Sequence, residues 1–231
     1  MKKVKLLSTL ALAAFLATAS AGIVSADQTD SSIEFDNDNT TIVGPTDPEN
    51  PGKPLPPTID PTDPSYPNKP STGPDGGLFL PFVPKTFNFG VQKVGASDIF
   101  SGKVLEYTQV TKYGNLQAVE VHDGRIDKDD WTVTAQLSEF DSKKLTGTTI
   151  TIEDVTTKAS YAGQEPIVVQ GAKTEISQTA AVDFLKSNVK SKHDTSGVWK
   201  DEKVKIHVPA KEITKGAHNA TVDWTLVAGA N

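Results

Sequence analysis

The chain has no cysteine in its 231 residues. Disulfides and thiolate metal sites are therefore excluded. Positive charge is also short, with 23 Lys and Arg against 29 Asp and Glu. Taking away the first 26 residues, argued below to be a leader, leaves 20 against 29, a net of −9. Nucleic-acid binding needs clustered Lys and Arg and is not expected. Simple charge-driven adhesion to an anionic wall or membrane is not expected either. Any surface binding should rest on shape, stacking and hydrogen bonds. The four histidines, His122, His193, His207 and His218, lack metal-ligand spacing. There is no Gly-x-Ser-x-Gly elbow, and nothing marks two of the many acids as a glycosidase pair. No catalytic residue, metal site or cofactor is expected.

Long apolar runs are absent after residue 21. Before it, Met1-Lys2-Lys3-Val4-Lys5 gives a basic start, 6–21 is rich in Ala and Leu, and Val24-Ser25-Ala26 offers small residues for cleavage. This reads as a secretory signal, with the mature protein, 27–231, beginning at Asp27. No transmembrane segment is expected in the mature chain, and there is no Leu-Pro-x-Thr-Gly sorting sequence. Retention at a cell surface would thus be non-covalent. A short lysine-rich signal without cysteine downstream suits a Gram-positive bacterium. The sequons at Asn39-Thr40-Thr41 and Asn219-Ala220-Thr221 are then coincidental.

What is present is period-two patterning. Trp131, Val133, Ala135 and Leu137 alternate with Thr132, Thr134 and Gln136; Ala220, Val222, Trp224, Leu226 and Ala228 alternate with Thr221, Asp223 and Thr225. Such alternation means a strand with one buried face. Each Trp shares its face with apolar neighbours, so the two Trp strands are expected to pack together in the core. Ligand contact by their rings is the alternative. Trp199, followed by Lys200, Asp201 and Glu202, has no alternating apolar partners and is the aromatic expected to be exposed or to plug a loop.

Further strands are expected at 86–89, 104–111, 116–122, 148–154, 166–170 and 203–208, besides 131–137 and 221–227. One helix is expected at 179–191, where Ala180, Ala181, Phe184, Leu185 and Val189 could share a face. Short alternating pieces at Ile33 to Phe35 and at Ile42-Val43 suggest one or two more strands. Eleven of the 15 prolines fall in 45–74, where Thr-Asp-Pro occurs at 46–48 and again at 62–64. That stretch should be extended, without ladder or helix, as a loop or spacer. The acidic run 123–130 has no EF-hand spacing and reads as a solvated turn. The whole is a mostly β, single sandwich or barrel-like domain with a Pro-rich loop and at most one short helix.

Several of these features occur together in an order that resembles the WxL-domain cell-surface proteins of low-GC Gram-positive bacteria. The Pro-rich, Asp-Pro-repeating loop comes first, then Val83-Pro84 and Phe87-Asn88-Phe89-Gly90. Trp131 to Leu137 follows, with Phe140 behind it, then Gly197-Val198-Trp199, Val208-Pro209 and a closing Trp224-Thr225-Leu226. Two positions depart from the pattern: Val133 stands where the first motif has Leu, and His218 where a Tyr is usual. The resemblance implies a small stand-alone protein, non-catalytic and held non-covalently on the peptidoglycan of its own cell wall. It implies assembly with other WxL-associated surface proteins and allows host extracellular matrix as a further partner. The binding residues it points to are Trp131, Val133, Trp199, Trp224 and Leu226.

Overall fold

The computed structural model describes residues 32–110, 116–126, 130–141, 144–188 and 191–229. Residues 36–231 form one unit by their contacts; of the separate 1–35 unit only 32–35 are described. Those four residues carry no regular structure, and Ile33 and Phe35 are exposed, so the expected strand there is not formed.

The larger unit is mostly β, with sandwich-like packing of antiparallel sheets and no closed barrel. In chain order its strands are β1 (Ile42–Val43), β2 (Asn68–Pro70), β3 (Gly73–Pro74), β4 (Leu78–Pro84), β5 (Val104–Thr108), β6 (Leu116–Asp123), β7 (Trp131–Leu137), β8 (Thr149–Glu153), β9 (Thr156–Ala159), β10 (Ile167–Val168), β11 (Lys173–Ser177), β12 (Val182–Lys186), β13 (His193–Lys200), β14 (Val204–Pro209) and β15 (Val222–Ala228). One sheet runs β2-β4-β6-β13-β9. A second runs β10-β12-β7-β15, a third β11-β8-β14-β5, and β1 pairs with β3. A single short helix, α1 (Ala96–Ile99), is the only α-helix among the described residues.

Strand β7 shows how sequence becomes core. Trp131, Val133, Ala135 and Leu137 are all buried, and the residues between them are half-buried. Their neighbours in the core are Val119 and Val121 of β6, Ile150 and Ile152 of β8, Ile176 of β11, and Val204 and Ile206 of β14. The three larger sheets therefore share one core.

The expected helix at 179–191 is instead β12, and residues 189 and 190 lie outside the described set. Its register against β7 shifts between Asp183 and Leu185. A bulge of this kind changes the phase of a strand, so Phe184 and Leu185 are both fully buried. Two adjacent buried apolar residues imitate a helical face. Residues 86–89 are not a strand either; β4 precedes them. Its prolines disguised it, and its register against β6 slips between Phe79 and Phe82, around Pro81. Bulges are where a sheet tolerates proline.

The Pro-rich stretch is not a free spacer. It does form ladder pairs, through β2 with β4 and β3 with β1. Elsewhere its aspartates cap turns. Asp47 Oδ1 accepts the Glu49 N–H at 3.0 Å and Asp63 Oδ1 accepts the Ser65 N–H at 2.7 Å, the same job in both Thr-Asp-Pro copies. The stretch packs on the outer face of the five-stranded sheet. Ser196 Oγ donates to the Pro48 carbonyl at 2.5 Å, Asn68 Oδ1 accepts the Ala118 N–H at 2.8 Å, and Thr46 donates its hydroxyl to Glu120. Strand β6 is thus covered on both faces, which is why Gln117, Glu120, His122 and Asp123 are buried beside Val119 and Val121. Asp123 is no solvated turn residue: it pairs with Arg125 at 2.8 Å and Lys192 at 3.0 Å. Asp127 to Asp129 lie outside the described residues.

This buried polar seam makes stability depend on pH. Desolvation holds the Glu120 carboxyl well above its ordinary range, against the opposing Thr46 hydrogen bond. Burial works against protonation of His122, yet its hydrogen bonds to Asp194 and the Asp75 carbonyl raise it overall. A carboxyl raised in the folded state favours folding less as pH rises above its unfolded value. A raised histidine contributes stability that is full below its unfolded pKa and is lost through its folded one. Both signs agree, and Asp201, raised by burial, adds to them. The thermal midpoint is expected to be several degrees higher at pH 5 than at pH 8. Glu120→Gln should flatten part of that slope in a calorimetric series. A midpoint that rises with pH across this window would contradict the assignment.

Candidate functional site

A groove of about 1620 Å³ opens on the side of the unit where the second and third sheets meet the segment that follows β4. Small-molecule pockets hold roughly 300–1,000 Å³, so this one has room for part of a polymer. Segment 85–94 crosses it as a strap. The strap is held by Gln117 Nε2 donating to the Thr86 carbonyl at 2.9 Å and by the Val110 N–H donating to the Asn88 carbonyl at 2.7 Å. Phe87 and Phe89 of the strap are half-buried against the core and line the groove. Val222 and Trp224 of β15 line the same groove, as do Tyr107, Leu137, Ile206 and Val208.

The expected site residues part company here. Trp131 and Val133 are fully inside, with relative exposures of 1% and 0%, and do not reach the groove. Leu226 packs on the core without lining it. Trp199, expected at the surface, is 2% exposed. The reason is register: its strand, β13, lies between β6 and β9 in the five-stranded sheet, and its ring faces the core. There it stacks on Trp224 with centroids 6.5 Å apart and planes 28° apart. Phe184 stands edge-on to both, at 5.5 Å from Trp199 and 5.1 Å from Trp224. The two Trp strands are sheet neighbours, with Trp224 paired to Ala135 and Trp131 to Ala228. So Trp131 and Trp224 lie on adjacent strands of one sheet, four positions apart in register, and are not packed face to face. Of the three indoles, Trp224 alone is both half-buried and part of the groove wall.

Charge is distributed unevenly around the groove. Lys69, Lys85 and Lys215 border it and Asp223 is the one acid among its lining residues, although the chain as a whole is acidic. His218 lines it as well. Its Nε2 donates to the Thr214 carbonyl at 2.9 Å, and its Nδ1 is buried with no hydrogen-bond partner among the described residues. Asn219 is fixed by Asp141, whose Oδ2 accepts the Asn219 N–H at 2.9 Å. Among the described residues no cluster of three or more His, Asp or Glu could hold a metal ion. No helix of the described residues is long and apolar enough to cross a membrane.

Sequence reasoning did not assign Phe87, Phe89, Tyr107 or Lys215 to a site. The Phe87-Asn88-Phe89-Gly90 segment and the departure at His218 were visible as signals, but they lie more than a hundred residues apart along the chain.

A family profile described as "WxL domain surface cell wall-binding" matches residues 23–229. No curated protein and no solved structure matches the chain.

Proposed function

The chain belongs to the WxL family of surface cell wall-binding domains, and from that premise we propose that it is secreted through its first 26 residues and attaches non-covalently to the peptidoglycan of its own cell, with the groove between the strap and β15 as the contact. The role is binding and not catalysis. The observation that carries this reading is convergence. Two segments that mark the family resemblance, Phe87 to Gly90 and Trp224 to Leu226, meet at one groove through Phe87, Phe89 and Trp224. The buried motif residues, Trp131, Val133 and Trp199, then act by holding that wall in place. Other surface proteins could share the same display, with the Pro-rich face as the surface offered to them.

The test is sedimentation of residues 27–231 with protein-free sacculi. Saturable binding is expected. Phe87→Ala removes a half-buried ring from the groove wall and should lower affinity on the order of tenfold, with the fold retained by circular dichroism. Unchanged affinity would remove the groove from the wall contact. No binding by the unaltered protein would mean retention by a protein partner.

A further inference from the structure

We propose that the groove reads the peptide part of peptidoglycan, by hydrogen bonding along the open edge of β15, and does not work by stacking on sugars. This deepens the wall-binding reading above and rests on it.

The argument starts from ladder parity. The Ser138 N–H donates to the Thr221 carbonyl at 2.8 Å, and the Gly229 N–H donates to the Asp130 carbonyl at 2.6 Å. In an antiparallel pair, alternate residues bond to the neighbouring strand and the ones between turn their N–H and C=O outward. With 221 and 229 facing β7, the bonded residues are 221, 223, 225, 227 and 229. Val222, Trp224 and Leu226 therefore direct their backbone groups away from β7. Strand β15 has no second neighbour in its sheet, and these groups have no hydrogen-bond partner among the described residues. Val222 and Trp224 line the groove. The unpaired N–H and C=O groups of Val222 and Trp224 thus belong to residues of the groove wall, in the spacing of a strand edge.

Such an edge is normally blunted, because it invites another chain. Here it is the longest outer strand among the described residues: β15 has seven residues, whereas β5 and β11 have five, β9 four, β2 three and β10 two. An alternating row of donors and acceptors is matched by a chain of amides and not by a row of sugar hydroxyls. The indoles point the same way. Trp131 and Trp199 are buried, and Trp224 turns a face to Trp199.

Charge completes the match. Lys69 and Lys215 border the groove against Asp223 alone, and Lys85, also in its lining, donates its ammonium to the Pro64 carbonyl at 2.9 Å. In peptidoglycan the free carboxylates belong to the peptide stems, since the lactyl carboxyl of each muramic sugar is bound in an amide. An amide chain bearing carboxylates fits both the edge and the lysines.

The experiment is competition for binding of residues 27–231 to sacculi freed of protein and of phosphate polymers. The competitors are the stem peptides released by an amidase and, separately, the peptide-free glycan strands. Displacement by the peptides and not by the strands is expected. Val222→Pro removes one outward N–H while leaving the bonds to β7, so it should weaken sacculus binding roughly fivefold. Lys215→Glu, at an exposed position that leaves the core untouched, should weaken it by a similar factor and keeps the test valid if the proline variant misfolds. Displacement by glycan strands alone, or full affinity in Lys215→Glu, would overturn the inference while wall attachment stands. Absence of binding to sacculi would overturn both.

Discussion

Trp199→Ala is expected to lower stability by about 3–5 kcal/mol, the cost of emptying a buried aromatic site. At roughly 2–4 °C per kcal/mol for a chain of this size, the thermal midpoint should fall by about 10 °C. The ring is 2% exposed and contacts Phe184 and Trp224, so its removal leaves a cavity that two other aromatics border. The neighbours cannot close the gap cheaply. Phe184 is fully buried on β12, and Trp224 is anchored through β15 to β7. The result separates two readings of one residue. A surface aromatic would change the midpoint by about 1 °C or less and affect binding alone. A calorimetric scan beside a sacculus assay distinguishes them, and an unchanged midpoint would refute the packing described here. Trp199→Phe should recover much of the loss, because an aromatic ring still fills part of the site.

The second large effect is expected from a smaller change. Gly124→Ala adds one carbon, yet an ideal Cβ there would lie 1.5 Å from the Asp75 carbonyl oxygen and 2.6 Å from its carbon. Backbone atoms cannot swing aside as a side chain can. The 75–77 segment would have to leave the end of β6. With it would go the Gly124 N–H bond to the Gly77 carbonyl at 2.9 Å and the His122 Nε2 contact to the Asp75 carbonyl at 2.8 Å. Overpacking of this kind costs about 1–3 kcal/mol, and each lost hydrogen bond about 1 more. A loss of about 3 kcal/mol is expected. It should be local before it is global: amide exchange should speed up first in 73–79 and along the Pro-rich cover. Uniform exchange behaviour would mean that the segment is not the point of failure.

How much of this could be read along the chain depended on the distance over which each feature is decided. The strands at 131–137 and 221–227 were legible because period two is a local property, and β7 buries the alternate residues it implied. Strands 104–111, 116–122, 148–154, 166–170 and 203–208 were legible for the same reason, with ends displaced by a residue or a few. Strand β12 was misread as a helix because a bulge places Phe184 and Leu185 on the core together, and a bulge is a fact about the partner strand. Strand β4 was hidden by Pro81 and Pro84. The Pro-rich stretch looked like a spacer, since nothing local announces that Asn68, Thr46 and Pro48 will meet β6 and β13.

The amino-acid sequence by itself determined the class of fold, the faces of the principal strands, the absence of disulfides and the order of motifs that marks the family. Tertiary structure alone decided what the tryptophans touch, that Trp199 is inside, and that a groove forms where the strap passes Trp224. The physical reason is that alternation selects a face, whereas a neighbour is selected by register between strands far apart in the chain. Pairing of β15 with β7 spans about ninety residues, and the strap reaches β15 across more than one hundred and thirty. No local pattern encodes those distances, and the open edge of β15 exists only once the sheet has been assembled with no strand of the described residues paired to its far side.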